Sequence, residues 1–492
     1  MTREDGSTAT AGLRAAEQSI EAHSAVFKKE LGLTDLALTQ ILYIIGLGWV
    51  GTAAKLGPSH ISFWLLAILL FYIPSAVVVV YLNRLMPLEG GLYQWAKLGF
   101  NEFTGFMVAW NLWLYMIVLT SEIGLQVATY LSYALGPSAA WLARSKWIIA
   151  GASFVIIGAL VVVSTIGLSV GKWVHNAGAV MMIVIFTALV ALPILNWSRG
   201  SIREYRPFAM AALALKLLSL NMLAKLGFGA LGGFEYVAIL AGECRAPVRT
   251  INRSVIIAAP IIAVMFILGT SSVLAFVHPD NIDLIGPIPQ VLSIGSRPFG
   301  LAASIVPVAI LMVMCMRLAQ ASVNFTANTR LPMVAGWDHL LPAWFTKLHA
   351  KRRTPVNSIL FVGAMILAMG LVGIAGVGEQ EAYQLLQNAA GSLYAITYLV
   401  MFAVPIVGLR GVKPRPPLWL KIAAGSGFLM TLLYVVVSVF PIVEVKNRLT
   451  FMIKVGGVII AANIIGAAIF LFAEKRRRAR AAGADAVGAS AD

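Results

Sequence analysis

The segment Gly229-Ala-Leu-Gly232-Gly233-Phe234-Glu235 places three glycines and a carboxylate inside a hydrophobic stretch. Glycine in a helix interior is unfavourable by about 0.5–1 kcal/mol relative to alanine. A charge at bilayer depth costs about 2.5 kcal/mol or more. Both together imply a helix that breaks, with the break facing a polar cavity. A second such segment, Ile45-Gly46-Leu47-Gly48-Trp49-Val50-Gly51, lies near the N-terminus. Unwound backbone of this kind presents bare amides to a carboxylate and bare carbonyls to an ammonium. The candidate binding residues are therefore Ile45, Gly46, Leu47, Gly48, Trp49 and Gly51 at the first break. At the second they are Phe228, Gly229, Ala230, Leu231 and Gly232. Gly46, Gly48 and Gly51 also spell GxGxxG, but a dinucleotide site needs a strand before it and a soluble unit around it. Close helix packing through small residues is the other reading of these glycines. Trp49 forms one wall of the site or faces lipid.

Three charged side chains inside apolar stretches are candidates for coupling or gating: Glu122, Glu235 and Arg317. Glu235 is placed in the first turn of a half-helix that begins after Gly232, where the helix dipole favours its charge. There it either accepts backbone N–H bonds that hold the break open or serves as a proton or counter-ion site. Buried opposite charges seek partners, and residue rise along each span puts Arg317 nearer in depth to Glu235 than to Glu122. The expected pair is Arg317–Glu235, which leaves Glu122 for a cation, a proton or a local hydroxyl. Arg317 as a purely structural strut is the alternative. Asp338 and His339, in a loop expected from Asn324 to Pro342, make neither a nucleophile nor a metal site. The turn Met86-Pro87-Leu-Glu89-Gly90-Gly91-Leu-Tyr93-Gln-Trp95 reads as a re-entrant or interfacial turn at a gate.

The elements that position these residues are set by composition. The chain has 492 residues, 59% of them hydrophobic and 12% charged, against about 25% charged in soluble domains. A bilayer core of about 30 Å takes about 20 apolar residues per helix. Spans are expected at 34–56, 61–82, 103–133, 147–168, 175–195, 213–241, 255–277, 301–325, 358–377, 382–408, 418–440 and 451–472. The net charge of +16 sits in loops and in the tail Lys475-Arg-Arg-Arg-Ala-Arg480, which fits the positive-inside rule and anionic lipid rather than nucleic acid. Lys and Arg are more numerous in loops on the side of the N-terminus, so both termini are expected in the cytosol of a plasma (inner) membrane protein. Residues 1–33 read as a cytosolic tail without a signal peptide, and 473–492 as a basic cytosolic tail. Cys244 and Cys315 make no disulfide framework. No cofactor or metal is expected, and no nucleophile–base set points to an enzyme.

The two breaks fall in the first and sixth spans. Spans one to five can be laid over spans six to ten, and an odd repeat unit inverts its second copy. The expected fold class is an all-α polytopic membrane protein of twelve helices: a 5+5 inverted repeat in 34–408, with helices 1 and 6 broken, and two further helices in 418–472. Broken helices in matching places mark a secondary transporter.

Several segments coincide with one family. Pro87-Leu-Glu-Gly-Gly-Leu-Tyr93, Gly233-Phe-Glu235 followed by Glu243-Cys-Arg-Ala-Pro247, and Arg330 to Pro342 followed by Thr354-Pro355 together resemble motifs of the amino acid–polyamine–organocation (APC) permeases. The short connection Gly57-Pro-Ser looks closest to the glutamate/GABA antiporter-like and plant polyamine-like branches. The resemblance implies a LeuT-type fold with substrate between broken spans one and six, flanked by spans three, eight and ten. It implies an amino acid or amine substrate, its α-carboxylate at amides of Gly46 to Gly51 and its ammonium at carbonyls of Phe228 to Leu231. It also matches Glu235 to the family's acidic residue beside the break, and offers Phe228 as an aromatic gate. Proton-coupled members often carry a lysine in span five, where Met182 stands here. The expected function is alternating-access transport of an amino acid or related amine, by proton symport or exchange. The alternatives are a polyamine or cationic-substrate carrier using Glu122, and a non-transporting membrane scaffold or sensor of the same fold.

Overall fold

The computed structural model describes residue 18 and residues 29–488, except 203–204, 209, 212–215, 301, 338, 374–378, 410–414, 443–444 and 446. Asp338 and most of the expected N-terminal tail therefore lie outside the described residues. Among the described residues the architecture is helical. The helices are α1 (Leu33–Ile44), α2 (Leu47–Ala54), α3 (Gly57–Leu85), α4 (Leu92–Gly99), α5 (Glu102–Leu135), α6 (Lys146–Ile166), α7 (Leu168–Ser198) and α8 (Leu217–Ala230). They continue with α9 (Tyr236–Ile239), α10 (Pro247–Leu274), α11 (Pro287–Gly295), α12 (Ala302–Trp337), α13 (Val356–Gly373), α14 (Glu379–Val407), α15 (Leu418–Val437) and α16 (Arg448–Gly488). Nine of these are long and apolar enough to cross a membrane, and α1 with α2 makes a tenth span bent by 44°. The expected sixth and ninth spans correspond to the shorter apolar helices 217–230 and 356–371.

Boundaries differ from expectation in three informative places. Span six is helical only to Ala230 and resumes as the single turn α9. The half-helix expected after Gly232 is thus too short to carry a useful dipole. The loop expected from Asn324 is helix, because α12 runs unbroken through Pro332 to Trp337. Residues at the end of the expected tail are anchored: the Leu31 amide donates to the Glu243 carbonyl (3.1 Å), and the Arg245 amide to the Leu31 carbonyl (3.0 Å).

α1 and α2 sit at the centre, packed against α7, α10, α11 and α12. α14 packs between α5 and α15, and α16 lies outside against α5 and α14. Two wide π-helical turns, Ile68–Tyr72 in α3 and Lys225–Ala230 in α8, face each other. They meet edge-to-face through Phe71 and Phe228, with ring centroids 5.7 Å apart. Such turns leave backbone groups out of the regular ladder and recur at functional positions.

The second break rests on Gly233. Its φ of +136° suits glycine alone, and a Cβ there would stand 2.8 Å from Tyr43 and Ile44. Gly233→Ala should destabilise the protein by about 1–3 kcal/mol. Thermal unfolding of the detergent-purified protein, compared with wild type, measures the shift.

Candidate functional site

A cavity of about 90 Å³ lies where the two breaks meet, between α1/α2 and the end of α8. The first break is narrower than expected. α1 stops at Ile44, and Ile45 and Gly46 are extended, whereas Gly48 and Gly51 are already inside α2. Gly48 lets the Tyr383 hydroxyl and the Leu284 carbonyl approach, and Gly51 lets Pro287 of α11 approach. For these two, close packing is the observed role.

Trp49 joins the breaks. A Cβ on Gly46 or on Gly229 would fall 2.6 Å from opposite ends of its indole. Only hydrogen at both positions lets one ring lie across the two segments. Gly46, Leu47, Gly48, Trp49, Phe228, Gly229 and Gly232 line the cavity. Ile45, Gly51, Ala230 and Leu231 are buried behind the wall. Phe228 is wholly buried against Tyr394, Tyr398 and Tyr434.

The charged residues pair differently from expectation. Arg317 reaches Glu122, not Glu235, with Nη2 3.8 Å from Oε1. Its Nε also donates to Gln126 Oε1 at 2.7 Å. Gln126 and Gln387 amides both donate to the same Glu122 oxygen, the latter at 2.8 Å. Residue rise alone gives the depth of a side chain only on an upright helix. α5 is 34 residues long, which fits a tilted span, and it carries an irregular turn at Glu122. Arg317 further donates to Gln320, whose amide donates to the Leu42 carbonyl (2.6 Å) and the Ile45 carbonyl (3.0 Å). The ion pair is thus coupled through one glutamine to the carbonyls freed where α1 ends.

Glu235 is fully buried and accepts hydrogen bonds from the Tyr394 and Tyr398 hydroxyls. The Tyr398 hydroxyl in turn accepts from the Gly233 amide at 2.7 Å. The carboxylate therefore reaches the break amide of Gly233 through the Tyr398 hydroxyl rather than by accepting it directly. Neither phenol stood out in the sequence, because tyrosines are common in apolar spans and only the fold brings α14 here.

One residue passed over in the sequence is Lys225. The rule that singles out Glu122 applies equally to a lysine in an apolar span. Lys225 opens the wide turn of α8, is 2% exposed, and lines the cavity. Its Nζ donates to Asn388 Oδ1 at 2.6 Å.

The end of the bundle that holds Leu31 is closed. Tyr43 and Tyr236 stack at 4.2 Å, and the Tyr236 hydroxyl donates to the Val323 carbonyl at 2.6 Å. Arg330 pairs with Glu243 at 2.9 Å, both nearly inaccessible. Glu89, in the turn before α4, accepts from the Gly242 amide at 2.5 Å. Burial, reinforced by the neighbouring Glu243, pushes the Glu89 carboxyl up to about 8. This turn carries more chemistry than its sequence disclosed.

A central pair of bent or broken helices, a cavity at their meeting point and a ring of long apolar helices define a LeuT-type secondary transporter. The crystal structure of MhsT in complex with L-phenylalanine has the same fold, with a TM-score of 0.57 and 14% identity over 83% of this chain and 98% of that one. The amino acid permease family model matches residues 31–470, and the chain belongs to that family. It is accordingly a multi-pass membrane transporter and not an enzyme. An uncharacterised transporter of Legionella pneumophila is 24% identical over 91% of this chain and 97% of its own length. A probable agmatine/putrescine antiporter, AguD of Lactococcus lactis, is 22% identical over 82% and 84%.

Two measurements probe this arrangement. Removing one partner of a buried ion pair costs about 3–5 kcal/mol, because the other charge is left uncompensated. Glu122→Gln and Arg317→Gln should each lower thermal stability, and the double variant should recover much of the loss. Additive losses in that cycle would show that the two side chains act separately. Glu89 binds its proton more tightly folded than unfolded, so stability should fall as pH rises from about 4.5 to about 8. Glu89→Gln should flatten that decline in melting temperature across pH 5 to 9.

Proposed function

We propose that this protein moves an amino acid or a related amine across the plasma (inner) membrane by alternating access, as a proton-coupled symporter or an exchanger. The observation that carries the reading is the cavity between two broken helices with Trp49 laid across both. A substrate there touches both halves of the core at once, so binding energy can bias their relative position. The α-carboxylate is assigned to amides near Gly46 and the ammonium to carbonyls near Phe228, following the family pattern. Glu235 and Glu122 are the candidate groups for proton coupling or gating. The Glu122–Arg317 pair argues against Glu122 as a free site for a cationic substrate. The 5+5 inverted repeat in 34–408 is the proposed organisation of the core.

Both termini are placed in the cytosol, by the excess of Lys and Arg on that side. The closed end at Leu31, Glu243 and Arg330 is then the inner one. Arg477 and Arg478, in the basic end of α16, pair with Glu102 (2.5 Å) and with Glu474, and the exposed Lys475 and Arg476 are the cations offered to anionic lipid headgroups.

Counterflow in proteoliposomes tests the reading directly, with amino acids, GABA and putrescine offered at several pH values. Accumulation of at least one is expected; none from any of them would leave a scaffold or sensor role standing. Gly229→Leu should displace Trp49 and abolish uptake while the protein still reaches the membrane. Uptake retained at the wild-type rate would remove the substrate from this position.

A further inference from the structure

Lys225 is the one cavity-lining cation whose charge is not matched by a carboxylate among the described residues. Arg317, the other cation in the wall, has Glu122. Lys225 has a carboxamide oxygen and the face of Tyr434, 5.8 Å from ring centroid to Nζ. The carboxamide is held in that orientation, because Asn388 Nδ2 donates to the Ser438 carbonyl at 2.7 Å. Asn388 therefore presents an acceptor to the ammonium and cannot swap its ends without breaking both bonds. An ammonium has three donors, and this one has a single hydrogen-bond acceptor. An ammonium taken out of water is expensive unless it is paired. An anionic group entering the cavity would supply the partner of opposite charge that the protein does not.

We propose that Lys225 is an anion subsite of the cavity, and that the substrate is an amino acid with a further anionic group at its far end. This rests on the reading that the amino acid end sits at the two breaks. Lys225 opens the wide turn of α8 that ends at the break, four residues ahead of Gly229. Lys225, Gly229 and Gly232 line one cavity, so a substrate with its amino acid end at the break and a second anionic group at the ammonium spans that wide turn, which suits an elongated acidic amino acid. The same ammonium repels a diamine, whose two charges are both positive. Lys225 thus selects among the substrates open to the fold, with Asn388 as its positioning residue.

The test uses the full chain in proteoliposomes. Uptake of L-glutamate, its neutral isostere L-glutamine, and putrescine is compared for wild type, Lys225→Met and Lys225→Arg at pH 6 to 8. Wild type should favour glutamate over glutamine by at least about tenfold in kcat/KM, the scale of a charged hydrogen bond. Lys225→Met should collapse that ratio, and Lys225→Arg should keep most of it. A wild-type preference for glutamine or putrescine overturns the subsite while leaving transport standing. So does a Lys225→Met ratio equal to that of wild type, or a change in pH dependence shared alike by all substrates. Transport of no amino acid or diamine at all overturns both this inference and the transport reading beneath it.

Discussion

Inside a bilayer no water is available to a backbone group released from a helix. Every carbonyl and amide freed at the two breaks must therefore find a partner within the protein, and the rest of the structure is organised by that need. At the first break, Gln320 takes the Leu42 and Ile45 carbonyls. At the second, the Tyr398 hydroxyl takes the Gly233 amide. In each case the satisfying group is itself tied to a charge within the bundle: Gln320 to the half-buried Arg317, and Tyr398 to the buried Glu235. Irregular backbone and intramembrane charge are thus one device. Each removes the cost that the other would impose alone.

This coupling makes the breaks depend on helices distant in sequence. Glu122 of α5 fixes Arg317 of α12, which orients Gln320 toward α1. Glu235 draws α14 onto the end of α8 through two phenols. A rearrangement that moves α1 or α8 must carry these helices along or exchange their hydrogen bonds. Linkage of this kind suits a core with two discrete packings rather than one that deforms continuously. Trp49 adds direct contact between the breaks, so the cavity wall is shared by both rather than owned by one.

Charge in the cavity is asymmetric. The Glu122–Arg317 pair is close to neutral as a unit, and Glu235 is screened behind Tyr394 and Tyr398. Lys225 is left to set the sign that an incoming molecule meets. The wide turn that it opens also presses Phe228 against Phe71, so the polar and aromatic faces of the site come from one irregularity in α8.

Much of this was legible in the chain. Apolar length set the place of most spans, since lipid depth translates directly into residue count. Three glycines beside Glu235 marked the second break, because glycine and charge are each unfavourable in an apolar helix. The permease motifs marked the family. What the sequence by itself could not decide was pairing. Residue rise measures depth along one upright helix, but Arg317 met Glu122 across the packed faces of α12 and α5. Nor could the sequence tell break glycines from packing glycines: Gly46 bends the chain, whereas Gly48 and Gly51 lie within α2 and make room for Tyr383 and Pro287. Tyr394, Tyr398 and Asn388 joined the site only when α14 folded against α8 and α5. Local chemistry is written residue by residue, but which buried polar group answers which is fixed by helix packing, and only the tertiary structure decides it.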